Sequence, residues 1–187
     1  AGVILDNTWL WRGDHGEGGV AVATGRNPVR VGLDVGGDNV SAYGLFVEHA
    51  LQDQVVWSGE GGQTFLLQSE LAYDVDQEGY GDRGYTGYRV TPDVQIHQAW
   101  GVGVYHYMKS PVEIDSGIVC PVSLEENFVS PLSVYLNGFG RMKKVLNERG
   151  RATSKTEGET QYLCPVSPSS SPSSSFSSTG DLVVSEL

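Results

Sequence analysis

The sequence predicts an all-β fold, and more specifically a right-handed parallel β-helix that is followed by an irregular C-terminal tail. Short runs rich in β-branched and aromatic residues recur along the chain, separated by Gly, Asp and Asn. No long stretch has apolar residues at the helical spacing i, i+3, i+4, i+7. Two runs also align at a spacing in the low twenties, and about 20 to 25 residues is the length of one β-helix coil. A β-sandwich or jelly roll is the alternative.

Ten runs are predicted to be strands because of these residue types and their flanking turn residues. In chain order they are Val3–Trp11, Val29–Val35, Val40–His49, Gln54–Trp57, Thr64–Leu71, Tyr85–Val90, Val94–Trp100, Val102–Met108, Gly117–Val119 and Leu132–Leu136.

The regions between and after these runs suggest three parts. We predict a β-helix domain at 1–140, a C-terminal cap or hairpin at 141–164 and a Ser/Pro-rich tail at 165–187. The polar segment Asp74–Gly87 breaks the period and is predicted to be a long loop that leaves the stack. Residues 141–151 fit a short helix or a hairpin equally well. The tail is too polar to bury a core and resembles a linker or an O-glycosylated segment.

Two glutamates stand out in the stretch from Tyr43 to Asp74. Glu48 and Glu70 each end an apolar run and lie 22 residues apart. In a β-helix this spacing places them on one face of adjacent coils, about 4.8 Å apart. We expect repulsion to raise the pKa of one of them, which would suit a general acid in glycoside hydrolysis. Alternatively, both are solvated surface residues or pair with arginines.

Aromatic residues near these carboxylates are candidates for stacking on sugar rings. They are Trp9, Trp11, Trp57, Tyr73 and Trp100. Any one of them could equally be a core residue, so their grouping around the carboxylates is the stronger argument.

Composition and charge exclude several functions. The formal net charge is −11 and the pI about 4.6, which argues against nucleic acids and anionic membrane surfaces as partners, whereas neutral glycans remain candidates. No run of 18 apolar residues predicts a membrane span. His49, His97 and His106 lack metal-ligand spacing, so we expect no metal and no cofactor. Asp14 and His15 could form a polar network within a turn.

Cys120 and Cys164 lie 44 residues apart and suggest a disulfide that ties the tail to the body. Two unrelated buried thiols are the alternative. Together with the Asn39-Val40-Ser41 sequon, a disulfide would suit an extracellular, secreted protein. The chain opens on Ala1 rather than Met and reads like the middle of a coil, so we expect a processed or partial chain.

Four blocks of sequence resemble glycoside hydrolase family 55, the exo-acting β-1,3-glucanases, which have a pectate-lyase-like fold. The blocks are Leu5 to Gly16, Asp38 to His49, Gln68 to Asp74 and Gln98 to Tyr105. The resemblance covers about residues 3–140. Ser69-Glu70-Leu71-Ala72-Tyr73 departs from the commoner family pattern Ser-Glu-Ile-Pro-Tyr, and the Ser-rich end and Cys164 have no family counterpart.

The resemblance implies a site in a cleft between two side-by-side β-helices, of which this chain would supply the second. Glu70 falls on the family's general acid and Glu48 on a second active-site glutamate, while Tyr73 and Trp11 would line the sugar site. The family is inverting, yet carboxylates on adjacent coils are closer than the roughly 6.5–9.5 Å of inverting enzymes. The resemblance therefore also implies that polar groups of the first β-helix help to hold the attacking water.

Two functions follow. The first is an exo-acting, inverting hydrolase of β-1,3-glucan, or the C-terminal half of one, with Glu70 and Glu48 as catalytic residues and Tyr73, Trp11, Trp57 and Trp100 as substrate-binding residues. It would need a second β-helix, from the same or another chain, to complete the cleft. The alternative is a non-catalytic β-helix module that binds glycan or assembles with other chains.

Overall fold

The computed structural model describes residues 2–15 and 27–164, and the predicted tail at 165–187 lies outside the described residues. The described part of the chain is nearly all β-strand. Its strands are β1 (Ile4–Asp6), β2 (Trp9–Trp11), β3 (Leu33–Val35), β4 (Ser41–Glu48), β5 (Val55–Trp57), β6 (Gly62–Glu70), β7 (Tyr88–Val90), β8 (His97–Met108), β9 (Glu113–Val119), β10 (Phe128–Val129), β11 (Leu132–Gly138), β12 (Arg141–Leu146) and β13 (Thr160–Tyr162).

These strands form two sheets. The larger has the order β1-β4-β6-β8-β11-β13, with β2 also paired to β4 and β10 to β8, and the smaller has the order β12-β9-β7-β5-β3. From β3 to β9 the chain alternates between the two sheets, one strand in each. Pairing is parallel throughout, except that β13 runs antiparallel to β11. The prediction of an all-β chain with parallel strands is therefore confirmed.

The spacing of 22 residues holds between β4 and β6, where Glu48 pairs with Glu70. It does not extend to the next coils. In the pairing of β6 with β8, Gly62 lies opposite His97, because the loop 74–87 adds residues between them. That loop includes a π-helical turn, Gln77–Gly81, whose Tyr80 is buried. The repeat is thus structural rather than strictly periodic in sequence.

The core lies between the two sheets and is built from stacked inward-facing side chains. Leu45, Leu67 and Val102 lie opposite one another in successive strands of the larger sheet, and each is about 1% exposed. Burying a side chain of this size contributes roughly 1.5–3 kcal/mol. Because the inward positions alternate with outward ones, the same strands direct Glu48 and Glu70 away from the core.

A kink crosses the larger sheet at one level. Gly44, Leu66 and Gly101 lie opposite one another in β4, β6 and β8, and each has a left-handed backbone with φ near +60°. The kink resets the inward and outward alternation, so that Leu67 and Ser69 point inward and Gln68 and Glu70 outward. It therefore fixes the face on which the second half of each strand presents its side chains.

Several details of the sequence prediction change. The two runs predicted at 94–100 and 102–108 are parts of one strand, β8. The segment 141–151, left open between a helix and a hairpin, begins with β12, which pairs with β9 and extends the smaller sheet beyond residue 140. Among the described residues, no helix is long and apolar enough to cross a bilayer.

The predicted disulfide is wrong, since Cys120 and Cys164 are both free. The two thiols lie in different surroundings: Cys120 is buried, and its backbone N–H and C=O both bond to the Asn147 amide, whereas Cys164 is exposed after β13. Burial raises the pKa of the Cys120 thiol to about 12.

Candidate active site

The two glutamates end neighbouring strands at one edge of the larger sheet. Glu48 is the last residue of β4 and Glu70 the last of β6, and Trp11 at the end of β2 lies opposite Glu48. These three side chains form a row on the outer face of the sheet, each only partly buried or exposed. Gln68 Nε2 donates a hydrogen bond to Glu48 Oε1 at 3.4 Å. The predicted juxtaposition of Glu48 and Glu70 is confirmed by this register.

His49 lies directly behind the glutamate row. It follows Glu48 with a left-handed backbone (φ 66°), which takes it out of the strand's alternation, and it is 1% exposed. Its Nδ1 donates to Asp14 Oδ1 at 2.8 Å, and its Nε2 lies 3.7 Å from Glu70 Oε1. The imidazole thus stands between two carboxylates. Trp11 Nε1 also lies 3.1 Å from Nδ1. Because the proton on Nδ1 is directed at Asp14, this nitrogen has no lone pair that could accept a hydrogen bond from the indole N–H.

Two carboxylates raise the pKa of His49. Burial alone would lower that pKa, but the nearby Glu70 carboxylate and the charge and hydrogen bond of Asp14 outweigh burial. Burial likewise raises the pKa of Asp14, yet the charge and hydrogen bond of His49 outweigh it and hold that pKa below its ordinary value. Each of the two groups therefore favours the charged form of the other.

Arg12 anchors this pair from below. Its side chain is fully buried, its Nε donates to the backbone oxygen of His49 at 2.6 Å, and its Nη2 bonds to Asp74 and lies 3.4 Å from Asp14 Oδ2. A buried guanidinium stays charged, so it needs these carboxylates as counter-charges. Arg12 therefore ties the loops after β2, β4 and β6 to one another.

Glu70 differs from its prediction. We expected repulsion from Glu48 to raise a pKa, but the pKa of Glu70 is lowered. Burial raises it, and the nearby ring of His49 and the hydrogen bond from Tyr73 outweigh that effect. Tyr73 donates its hydroxyl to Glu70 Oε1, and burial together with this hydrogen bond raises the pKa of Tyr73. The cationic imidazolium, absent from the prediction, is the reason for the change of sign.

Aromatic rings line the solvent side of this cluster. Trp9 and Trp11 stack with centroids 6.0 Å apart, His15 packs edge-on to Trp11, and Tyr73 stacks on His15 at 5.7 Å. Tyr107 meets Tyr73 edge-on at 4.7 Å. Trp9 and Trp11 are 64% and 42% exposed, so their faces are available to a ligand beside the carboxylates.

Two predicted binding residues lie elsewhere. Trp57 is fully buried between the sheets, against Tyr88 and His97, so its prediction as a sugar-binding residue is wrong. Trp100 lies opposite Phe65 and stacks flat on its ring, outside the core. Phe65 is five residues before Glu70 in β6, so Trp100 lies away from the glutamates. The structure brings Trp11 and Tyr73 to the glutamates and does not bring Trp57 or Trp100 there.

Two groups of ligand-type atoms occur here, Asp14 with His15 and His49, and Glu48 with His49 and Glu70, with their atoms within 4.8 Å of one another. Asp14 Oδ1 already accepts hydrogen bonds from both imidazoles, at 2.8 Å each, and Arg12 lies next to it. These contacts occupy the first group without an ion, and we assign no metal. The absence of a metal stays a prediction.

Sequence reasoning missed the residues that support the glutamates. Arg12 and Asp74 were not singled out, His49 was considered only as a metal ligand, and Asp14 only as part of a turn. One signal was present: His49 directly follows Glu48 at the end of a strand. Its left-handed backbone, which turns it towards Asp14, is not readable from the sequence.

Both the sequence and the fold of this chain match known proteins. The LAM55 pectate lyase-like domain matches residues 1–70. An exo-beta-1,3-glucanase of Streptomyces sp. (strain SirexAA-E / ActE) is 42% identical over 157 residues, which are 81% of this chain and 26% of that protein. The solved structure of sacteLam55A from Streptomyces sp. SirexAA-E superposes with a TM-score of 0.78 at 38% identity, over 86% of this chain and 30% of that one.

These matches support the resemblance to glycoside hydrolase family 55 that the sequence blocks carry. A second solved structure, of a glutamate-to-alanine variant of sacteLam55A in complex with glucose, also superposes on this chain with a TM-score of 0.78. The chain spans about a quarter to a third of the length of these relatives.

Proposed function

We propose that this chain supplies the acid-bearing side of an exo-acting, inverting hydrolase of β-1,3-glucan. The observation that carries the proposal is the position of Glu70, partly buried beside a wall of exposed aromatic rings and fixed by Tyr73 and His49. The activity of the 42% identical glucanase and the glucose complex of its structural relative support the same substrate class.

In this proposal the coil is a right-handed parallel β-helix of the pectate-lyase-like type. The alternation of consecutive strands between two parallel sheets supports a continuous coil. Right-handedness follows from the general rule that parallel strands in one sheet are joined by right-handed crossovers. The same winding brings the C-terminal ends of the parallel strands of the larger sheet, Glu48 and Glu70 included, to one edge.

The roles follow from the chemistry of the site. Glu70 protonates the glycosidic oxygen, Glu48 orders the neighbouring hydroxyls or water, and Trp11 and Tyr73 contact the sugar ring. Glu48 does not act as the general base of an inverting reaction, because one of its oxygens lies within 4.8 Å of an oxygen of Glu70. In inverting enzymes the two carboxyl groups are roughly 6.5–9.5 Å apart, which leaves room for the attacking water between base and sugar. A second β-helix, in the same protein or another chain, supplies the groups that hold this water.

The substrate implies a location. A polymeric glucan is too large to cross a cell membrane intact, so we propose that the protein is secreted. Detection of the protein in the culture medium of its source, and not only in cell extracts, is the measurement that checks this.

The test of the function is a pair of glutamate substitutions in the native protein that carries this sequence. Glu70→Gln should lower glucose release from laminarin about 100-fold or more while the variant stays folded by circular dichroism. Glu148→Gln is the matched control, since Glu148 is exposed in the turn after β12 and should keep native activity. Full activity in Glu70→Gln, or no sugar release by the native protein, would remove the proposal.

A glycan-binding module without catalysis is the second candidate. The lowered pKa of Glu70 favours it, because an ionised carboxylate accepts hydrogen bonds from sugar hydroxyls but donates no proton. Such a module would bind laminarin oligosaccharides by calorimetry and release no glucose, and Glu70→Gln would weaken binding instead of turnover.

A further inference from the structure

His49 has a geometry that the proposed function does not use. It is surrounded by ionisable groups and is buried. The groups that face it are the carboxylates of Asp14, Glu48 and Glu70, the guanidinium of Arg12, the ring of His15 and the hydroxyl of Tyr73.

The two nitrogens of His49 have different environments. Nδ1 is fixed by its hydrogen bond to Asp14 at 2.8 Å, and the backbone oxygen of His49 is fixed by Arg12 at 2.6 Å. Nε2 is buried, has no hydrogen-bond partner within the described residues, and faces Glu70 Oε1 at 3.7 Å. An unpaired buried nitrogen is costly, and here it is directed at one oxygen.

We propose that His49 is a positioning residue that stores the proton which Glu70 donates, and that Asp14 holds it in the tautomer required for this transfer. This inference rests on the proposed function of Glu70. It explains how a glutamate that is ionised in the resting site can act as an acid: the His49–Glu70 pair holds one transferable proton, which rests on the imidazole.

The transfer balances as follows. When a glycosidic oxygen docks, the Nε2–H bond of His49 breaks and an O–H bond forms on Glu70, which leaves a neutral imidazole whose Nδ1–H still points to Asp14. The Glu70 O–H bond then breaks as the proton joins the departing sugar oxygen. Neutral His49 regains a proton from solvent, and the attacking water returns one to solvent, so no net proton is consumed.

His15 is a second imidazole bonded to the carboxylate that fixes His49. Its side chain is 40% exposed, its Nδ1 donates to the same Asp14 oxygen at 2.8 Å, and its ring lies 5.4 Å from that of His49. The exposed and the buried imidazole therefore share one carboxylate.

The decisive experiment is chemical rescue in the native protein. His49→Ala should lower glucose release from laminarin about 100-fold or more, and added imidazole should restore part of it. Rescue by a series of substituted imidazoles of similar size should rise with their basicity. Glu70→Gln is the control, because it lacks the acceptor and imidazole should not restore it.

A second substrate separates proton supply from structure. On 2,4-dinitrophenyl β-glucoside the leaving group departs without a proton, so His49→Ala should retain most of its activity there. Equal losses on both substrates, or rescue that ignores imidazole basicity, would overturn the inference and assign His49 a packing role. Loss of laminarin activity in Glu70→Gln but not in His49→Ala would remove the proton store and leave the proposed function intact.

One readout needs no activity. ¹⁵N NMR of the native protein should show both nitrogens of His49 protonated at pH 6.5, and Asp14→Asn should convert the ring to the neutral form at that pH. A neutral His49 at pH 6.5 in the native protein would overturn the inference even if the protein hydrolysed no glucan, and a charged one would support it.

Discussion

His49 differs from the two core histidines, His97 and His106, although all three are buried to about the same degree. His49 lies between Asp14 and Glu70, and its pKa is raised. His97 shares its Nε2 with the Tyr88 hydroxyl, His106 bonds to the Thr153 hydroxyl, and burial lowers the pKa of each to about 4.

The comparison shows that neighbours, and not burial, decide the charge of a buried imidazole. Hydroxyl groups satisfy one ring nitrogen without compensating a positive charge, so the core rings stay neutral. Carboxylates do compensate that charge, so the site ring is charged. The two regions should therefore respond in opposite ways to pH, and substitutions should convert one behaviour into the other.

The largest effect should come from Asp14→Asn. It leaves His49 and Arg12 buried with one counter-charge fewer, and breaking a buried pair from one side costs about 3–5 kcal/mol. Urea unfolding of the native protein at pH 7 measures it. Asp115→Asn, which breaks an exposed pair with Lys143, should shift the midpoint little. Similar shifts in both variants would show that the site pair is not buried in the sense described.

Acidification should destabilise the folded protein through the two core histidines, His97 and His106. Their folded pKa of about 4 is below the ordinary 6.5, so the unfolded chain binds their protons more readily as pH falls from 6.5 to 4. Each should cost up to about 3 kcal/mol by pH 4, at 1.36 kcal/mol per pKa unit. His97→Gln with His106→Gln should flatten the unfolding free energy across this window, and an unchanged slope would contradict the assignment.

His49 should behave with the opposite sign. Because its folded pKa is raised, its contribution to stability is present below pH 6.5 and is lost as pH rises through the folded value. The effect is measured as the difference in unfolding free energy between native protein and His49→Gln from pH 6 to pH 9. A difference that does not shrink with rising pH would place a neutral imidazole at the site.

A smaller effect is expected for Tyr73→Phe. Loss of a hydrogen bond to a charged carboxylate costs about 1.5–3 kcal/mol of unfolding free energy, and it should raise the pKa of Glu70. A ¹³C NMR titration of the glutamate carboxyls follows this change. Tyr107→Phe is the control, because its ring packs on Tyr73 without bonding to Glu70; an equal shift there would point to packing.

The smallest effect on stability should come from Trp11→Ala, since that ring is partly exposed. Its loss should raise KM for laminarin oligosaccharides about tenfold and leave kcat nearly unchanged, because stacking binds ground state and transition state alike. Trp100→Ala tests the extent of the site. A comparable rise in KM would extend the sugar path along β8, and none would confine it to the strand ends.

How much of this could be read from the sequence differs between the strands and the site. The alternation of the runs and the 22-residue spacing predicted the pairing of Glu48 with Glu70, because strand register is local and periodic. The length of later coils was not predictable, since the loop 74–87 has no periodic constraint. The side on which Trp57 lies was not predictable for a related reason. A shift of one residue in a strand moves a side chain from the outer face of the sheet to the core.

The supporting charges could not be predicted because they come from separate loops. Arg12 and Asp14 follow β2, His49 follows β4, and Asp74 follows β6. Only stacking of the coils brings them together, and only that contact reverses the expected shift in the pKa of Glu70. The sequence thus predicted which carboxylates meet, and the structure was needed to show which cation they meet.

The most direct test of the central claim, that Glu70 protonates the glycosidic oxygen, is the ratio of two activities in the native protein and in Glu70→Gln. One is glucose release from laminarin, and the other is hydrolysis of 2,4-dinitrophenyl β-glucoside. We expect Glu70→Gln to lose about 100-fold or more on laminarin and little on the dinitrophenyl substrate, whose leaving group needs no proton. Equal losses on the two substrates would contradict the claim.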